Sequence, residues 1–385
     1  MVGINARFAI RGCAASVAMY ALSSFALQAH AAPFVATNLV TDDQTVNAAQ
    51  ITDDHLVNAW GISSSGTSPF WVSSNEAGLA TLYSVNPTTN TTAKLGLEVI
   101  IPGDGSVTGQ VFNSAAGSGA FNSDAFLFVS EDGTISGWRN ALGTNAEVLA
   151  TGLPDNVYKG TALATIGGNT YLYAANFRTG KIDVVKGNAG APDLAGNFTD
   201  PNLPAGYAPF NIQLLGDKLF VTYALQDATG KDDVPGSGHG FVDEFNTDGT
   251  LVARVGSAGM LDSPWGLALA PTSFGAFAGD LLVGNFGDGR INVFDLGTDS
   301  FVGQLDGLDG NPLSIDGLWG LAAGNDGAGG SSQAIYFSAG PDDESHGLFG
   351  VIAATVPEPP ALLLLVAALV GMQATCRRRS QAWPM

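Results

Sequence analysis

Three histidines lie close to carboxylates in this chain: Asp53-Asp54-His55, Asp232-Asp233 with His239, and Asp342-Asp343-Glu344 with His346. Imidazole nitrogens and carboxylate oxygens are ligands for Ca²⁺, Mn²⁺ or Zn²⁺, and loops converging over one channel can supply the six or more oxygens that calcium takes. None of the three groups has a defined metal-ligand spacing, and the same residues make ordinary solvated turns. Asn58, Asn176 and Asn285 are further candidates, the last two in similar "ANF" and "GNF" turns, where an asparagine can equally just end a strand. Trp60, Trp265 and Trp319 each precede a glycine and offer either core packing or a platform for a sugar ring. There is no G-x-S-x-G elbow, H-E-x-x-H helix or phosphate loop, and Cys13 and Cys376 leave the segment between them without a thiol nucleophile.

The elements that must position these groups repeat along the chain. Short apolar runs alternate with Gly, Asn, Asp and Pro, the grammar of strands and turns. A first strand begins "NAWGIS", "TGQVFN", "KGTALA", "APFNIQ", "SPWGLA" and "LWGLAA". A second follows as "PFWVSS", "AFLFVS", "TYLYAA", "DKLFVT", "GDLLVG" and "QAIYFS", and a third comes after a turn. Aligned on Gly61, Gln110, Ala162, Asn211, Gly266 and Gly320, the copies are spaced by 49, 52, 49, 55 and 54 residues. That period suits a propeller blade, with outer strands at "EVIIP", "EVLAT", "LVARV" and "FVGQL". The expected fold is all-β: a six-bladed β-propeller of four-stranded blades over residues 32 to 355. The strand "FVATNLV", residues 34 to 40, completes the last blade and removes an open edge. Crowding near the axis explains the glycines, and the tryptophans fill the wedges between blades. The usual propeller path brings all three histidine groups to one rim.

The ends read differently. Arg7 and Arg11 precede an apolar run to Leu27, and Ala29-His30-Ala31 matches a signal-peptidase site, so residues 1 to 31 read as a signal helix that is removed. Near the other end, Ala361 to Thr375 gives 15 mostly apolar residues, marginal for a spanning helix, and Arg377, Arg378 and Arg379 hold their side in the cytoplasm. Five of the 15 basic residues lie in these ends, with Glu358 the one acid there. Residues 32 to 356 therefore carry 10 basic and 34 acidic side chains, a net of −24. Such a body repels nucleic acid and anionic lipid and attracts cations or neutral polymers such as polysaccharide.

Val356-Pro357-Glu358-Pro359, the short apolar helix and the arginine cluster together resemble the PEP-CTERM sorting signal of exopolysaccharide-producing Gram-negative bacteria. The resemblance implies an exosortase-type processing partner. It also implies transient inner-membrane anchoring through residues 356 to 379 with a cytoplasmic tail at 380 to 385, and delivery to the envelope or extracellular matrix. The repeats resemble six-bladed NHL-type and lactonase-like propellers, in particular conserved hypothetical propellers bearing PEP-CTERM signals; "FVSEDGTISGWRN", Phe128 to Asn140, is the most distinctive segment. Gluconolactonase-like propellers hold a divalent ion near the axis through Asn, Asp and Glu, and this sequence lacks their recognisable carboxylate partners. Two functions follow as expectations. One is a non-enzymatic surface protein that binds exopolysaccharide, an ion or another surface protein. The other is a metal-assisted lactonase or hydrolase at the central channel.

Overall fold

Phe70–Ser74, Phe126–Ser130, Leu281–Asn285 and Ile335–Ala339 are buried along their whole length. Strands covered on both faces read as unbroken apolar runs, and each of these is the second strand of a blade. The computed structural model describes residues 33 to 355, so the signal segment and the sorting segment lie outside the described residues. Six antiparallel sheets follow one another. Their innermost strands are Ala59–Ser63, Val107–Phe112, Tyr158–Ile166, Tyr207–Leu215, Pro264–Leu269 and Leu318–Ala323.

Four-stranded blades are the plan, with local departures. Blade one divides its outer position between Thr92–Lys94 and Val99–Ile100. Blade three ends at Lys181–Lys186 with no fourth strand, and lysines at both ends of that edge discourage pairing with another chain. Blade six is completed by Phe34–Thr41, which runs antiparallel to Leu348–Ala354 from Phe34 against Ala354 to Thr41 against Leu348. The ring is thus closed by the upstream strand, and Phe34 locks it by packing on Phe274 at 4.7 Å between ring centroids. Among the described residues no helix is long and apolar enough to cross a membrane.

The core is distributed between neighbouring blades. Trp71, Phe126, Phe128 and Trp138 fill the wedge between blades one and two, and Tyr171, Tyr173 and Phe245 the wedge between three and four. Each such side chain stabilises the fold by about 1.5 to 3 kcal/mol of apolar burial. Trp60, Trp265 and Trp319 are not in these wedges. They meet each other on the axis with Phe177, Phe210 and Phe286, so the channel is plugged by aromatic rings.

A bulge explains this placement. Every innermost strand slips register against its partner just after its start, at Trp60-Gly61, Thr108-Gly109, Lys159, Phe210, Trp265 and Trp319-Gly320. An extra residue re-aims its side chain, here toward the axis. The next position in each strand backs onto the neighbouring blade. A Cβ on Gly266 would lie 2.7 Å from the Trp319 carbonyl oxygen, and one on Gly320 2.9 Å from that of Trp60. These contacts place Gly61, Gly109, Gly160, Asn211, Gly266 and Gly320 in one ring. The structural repeat thus runs through Gly109 and Gly160 rather than Gln110 and Ala162.

Candidate functional site

The residues before the ring positions are, in chain order, Trp60, Thr108, Lys159, Phe210, Trp265 and Trp319; the four aromatic ones pack together on the axis, and Lys159 lies over Trp60. Lys159 is the one charged member. Its side chain is 3% exposed; its ammonium is bound by Glu131, lies 3.7 Å from Asp232 Oδ1 and sits 5.0 Å from the centre of the Trp60 ring. Lys231 reaches the other oxygen of Glu131 at 3.6 Å. Burying an ion pair is costly, so a lysine in an otherwise uncharged column is not there for stability alone.

Above the plug opens a cavity of 510 Å³. Trp60, Trp319 and Phe286 form its floor, with Trp60 stacked on Trp319 at 3.6 Å and Phe286 on the same ring at 3.9 Å. Glu76, Glu131, Asp232, Asp233, Asp316, Asp343 and Glu344 line its wall, against Lys159 and Lys231. No basic side chain pairs with Glu76, Asp233, Asp316, Asp343 or Glu344 among the described residues. Burial raises the carboxyl groups of Asp233 and Glu344 above their ordinary range.

Asn58 ties the floor to the wall. Its amide nitrogen donates to Glu344 Oε2 at 2.6 Å, while its oxygen accepts from the indole nitrogens of Trp60 at 2.9 Å and Trp319 at 3.2 Å. Backbone strain gathers here too. Asn58 and Ser263 have φ of 45° and 46°, and Asp342, Asp343 and Glu344 form three consecutive left-handed residues at 55°, 51° and 65°. Each such residue costs about 1 to 3 kcal/mol and persists only where its surroundings enforce it.

The residues expected from the sequence divide. Asp232, Asp233, Asp343 and Glu344 come together at this cavity from blades four and six. The histidines do not join them. His239 Nδ1 bonds to the Val234 carbonyl oxygen at 2.8 Å, and His346 Nδ1 lies 2.8 Å from Asp42 Oδ2. His55 lies 2.9 Å from Glu98, and Asp54 and Asp342 are exposed to solvent. Hydrogen bonding to Glu98 and Asp42 raises His55 and His346 respectively above their ordinary values. Asn176 and Asn285 bridge the turns that follow their strands, to Asp183 and Asp288 respectively, and Asn176 also donates to Asn156, just before the first strand of blade three. Glu131, Asp316 and Lys159 were not anticipated. Aligning on the glycine ring would have exposed Lys159, because the residue before Gly160 then falls in the column of Trp60 and Trp319.

The fit to a metal ion can be judged from geometry. Among the described residues, the one trio whose ligand atoms lie within 4.8 Å of one another is Asp53, His55 and Glu98. Lys94 already fills it, 2.6 Å from both Asp53 and Glu98, while Tyr83 donates to Asp53 at 2.6 Å. The axial carboxylates reach no such convergence, and Lys159 holds the position between Glu131 and Asp232. Each place thus already holds a lysine ammonium.

No family model matches the chain. It is similar to two uncharacterized proteins of Acanthamoeba polyphaga mimivirus: 37% identical over 237 residues, covering 60% of this chain and 57% of the relative, and 39% identical over 202 residues, covering 51% of each. The chain thus spans little more than half the length of these relatives. Among solved structures, an auxiliary nutrient binding protein from Bacteroides ovatus superposes with a TM-score of 0.50 at 12% identity, covering 84% of this chain and 78% of that one. At that identity the likeness concerns the fold alone.

Proposed function

We propose that this chain is a binding propeller of the envelope or extracellular matrix of a Gram-negative bacterium, and that its axial cavity takes an amine-bearing sugar unit of a matrix polysaccharide. One observation carries the reading: five wall carboxylates without a basic partner stand over a floor of Trp60, Trp319 and Phe286. The carboxylates attract an ammonium and accept from hydroxyl groups, while the rings stack on the apolar face of a sugar and attract a cation. The volume suits a ligand of one to three sugar rings. The ammonium of Lys159 over the Trp60 ring supports this reading, since a floor ring already faces a cation. Delivery through a cleaved signal and an exosortase-processed PEP-CTERM end belongs to the same proposal and rests on the sequence of the two ends.

The test is a titration read by tryptophan fluorescence and calorimetry. Glucosamine oligomers are expected to change the emission and to bind at least tenfold more tightly than their N-acetylated counterparts, with affinity falling as salt rises. Equal affinity for the two series, or no response to either, sinks the reading.

A further inference from the structure

The propeller has a second mouth. The acidic cavity gathers the starts of the innermost strands, and a further cavity of 380 Å³ gathers their ends, from blades one, two, three, four and six. The aromatic plug lies where the strands begin, so the two cavities open at opposite ends of the axis. Not one ionisable side chain lines the second cavity, whereas nine line the first.

Its polar groups are amides and hydroxyls. Gln110 donates to the Gly61 carbonyl oxygen at 2.8 Å and accepts from Ser63 at 3.2 Å, which fixes one amide with its remaining N–H free. Gln213, half-buried on blade four, makes no side-chain hydrogen bond among the described residues. Leu163, Leu214 and Phe112 supply an apolar side.

A wall of fixed and free amides beside an apolar face matches a molecule that has hydroxyl groups on its edge, a hydrophobic face and no charge. A charged ligand would lose its hydration here and gain no counter-ion. We propose that this second mouth is a binding site for a neutral sugar, one or two rings in size, independent of the acidic cavity. Hydrogen bonds and ring burial hold it, so salt has little influence.

The experiment titrates the purified protein with cellobiose, maltose and lactose by calorimetry at 20 mM and 500 mM NaCl. At least one disaccharide is expected to bind, with affinity changing less than twofold between the two salts. Ala323→Trp, an exposed rim position, is expected to abolish that binding by filling the mouth, and Gln213→Leu to weaken it at least fivefold. Both variants should keep the wild-type response to glucosamine oligomers, which shows that the fold and the acidic cavity survive. Absence of binding by all three sugars overturns the proposal. So does binding unchanged in both variants, and so does binding that is lost with Lys159→Met instead. Failure of the glucosamine titration alone counts only against the acidic cavity.

Discussion

Replacing Lys159 by Met tests whether the axial ammonium is a built part of the site. The change removes the cation that binds Glu131, whose side chain is only 10% exposed, and leaves an apolar chain of similar length on the Trp60 face. Breaking a buried pair from one side costs about 3 to 5 kcal/mol, because the remaining charge is stranded. Lys231 at 3.6 Å from Glu131 still offsets part of that, so the expected loss is roughly 2 to 3 kcal/mol. Unfolding entropy of about 2.1 cal/mol/K per residue over roughly 320 residues gives about 0.7 kcal/mol/K, so the melting temperature should fall by about 3 to 4 °C. Adding Glu131→Gln removes the stranded charge and should restore stability to within about 1 kcal/mol of the parent, a coupling far from additive. The assay is thermal and urea unfolding of the two single variants and the double variant in one buffer. A Lys159→Met melting point within 1 °C of the parent, or strictly additive effects, would refute the argument that the pair is buried and mutually required.

Glu344→Gln keeps an oxygen to accept from Asn58 while removing a carboxyl that burial raises above 4.5. The folded state holds that proton more tightly than the unfolded chain, so stability is fully present below pH 4.5 and declines as pH rises through the raised value. Urea unfolding should therefore show the variant more stable than the parent at pH 8 and equal to it at pH 4, with weaker binding of glucosamine oligomers. Gly266→Ala puts a methyl 2.7 Å from the Trp319 carbonyl oxygen, and separating the two blades should cost about 1 to 3 kcal/mol by thermal unfolding. Deleting residues 33 to 41 uncovers Leu348–Ala354, and light scattering should then show concentration-dependent association through the open edge. Mass spectrometry of the exported protein is expected to find a chain beginning after Ala31 and shortened near Pro357; an intact chain would remove the sorting proposal.

The blade order was legible because second strands such as "AFLFVS" and "GDLLVG" carry unbroken apolar runs, Phe126 to Val129 and Leu281 to Val283, a pattern that burial on both faces imposes locally. Ring closure was legible for a related reason: Phe34 to Val40 is an apolar strand without a neighbour, and blade six is a sheet without an outer strand. The axial chemistry was hidden by two effects. Bulges and unequal turns shift blades two and three by one and two residues against the visible repeat, so Lys159 fell out of register with Trp60 in the aligned sequence. The histidines beside acidic pairs looked like ligands, yet the partners of His55 and His346, Glu98 and Asp42, are set by blade geometry rather than by sequence neighbours.

That same shift accounts for the character of the site. An aromatic column on a propeller axis needs nothing from the loops, because each ring packs on the next. A lysine in that column cannot be satisfied by its neighbours in the plug, and Trp60 supplies only the weak attraction of a ring face. Its charge must be met by Glu131 from the turn leaving blade two's second strand and by Asp232 from the insertion in blade four. Those two acids account for Lys159 by direct contact, but not for Asp343 and Glu344 on the strained left-handed turn of blade six, nor for Asp316 just before that blade's first strand; none of the three pairs with it directly. Strain and unpaired charge on one turn both lower stability, and Glu344 attracts the lysine only from a distance. A wall that carries more acid than the chain's own cation requires is arranged for a cation that arrives from outside.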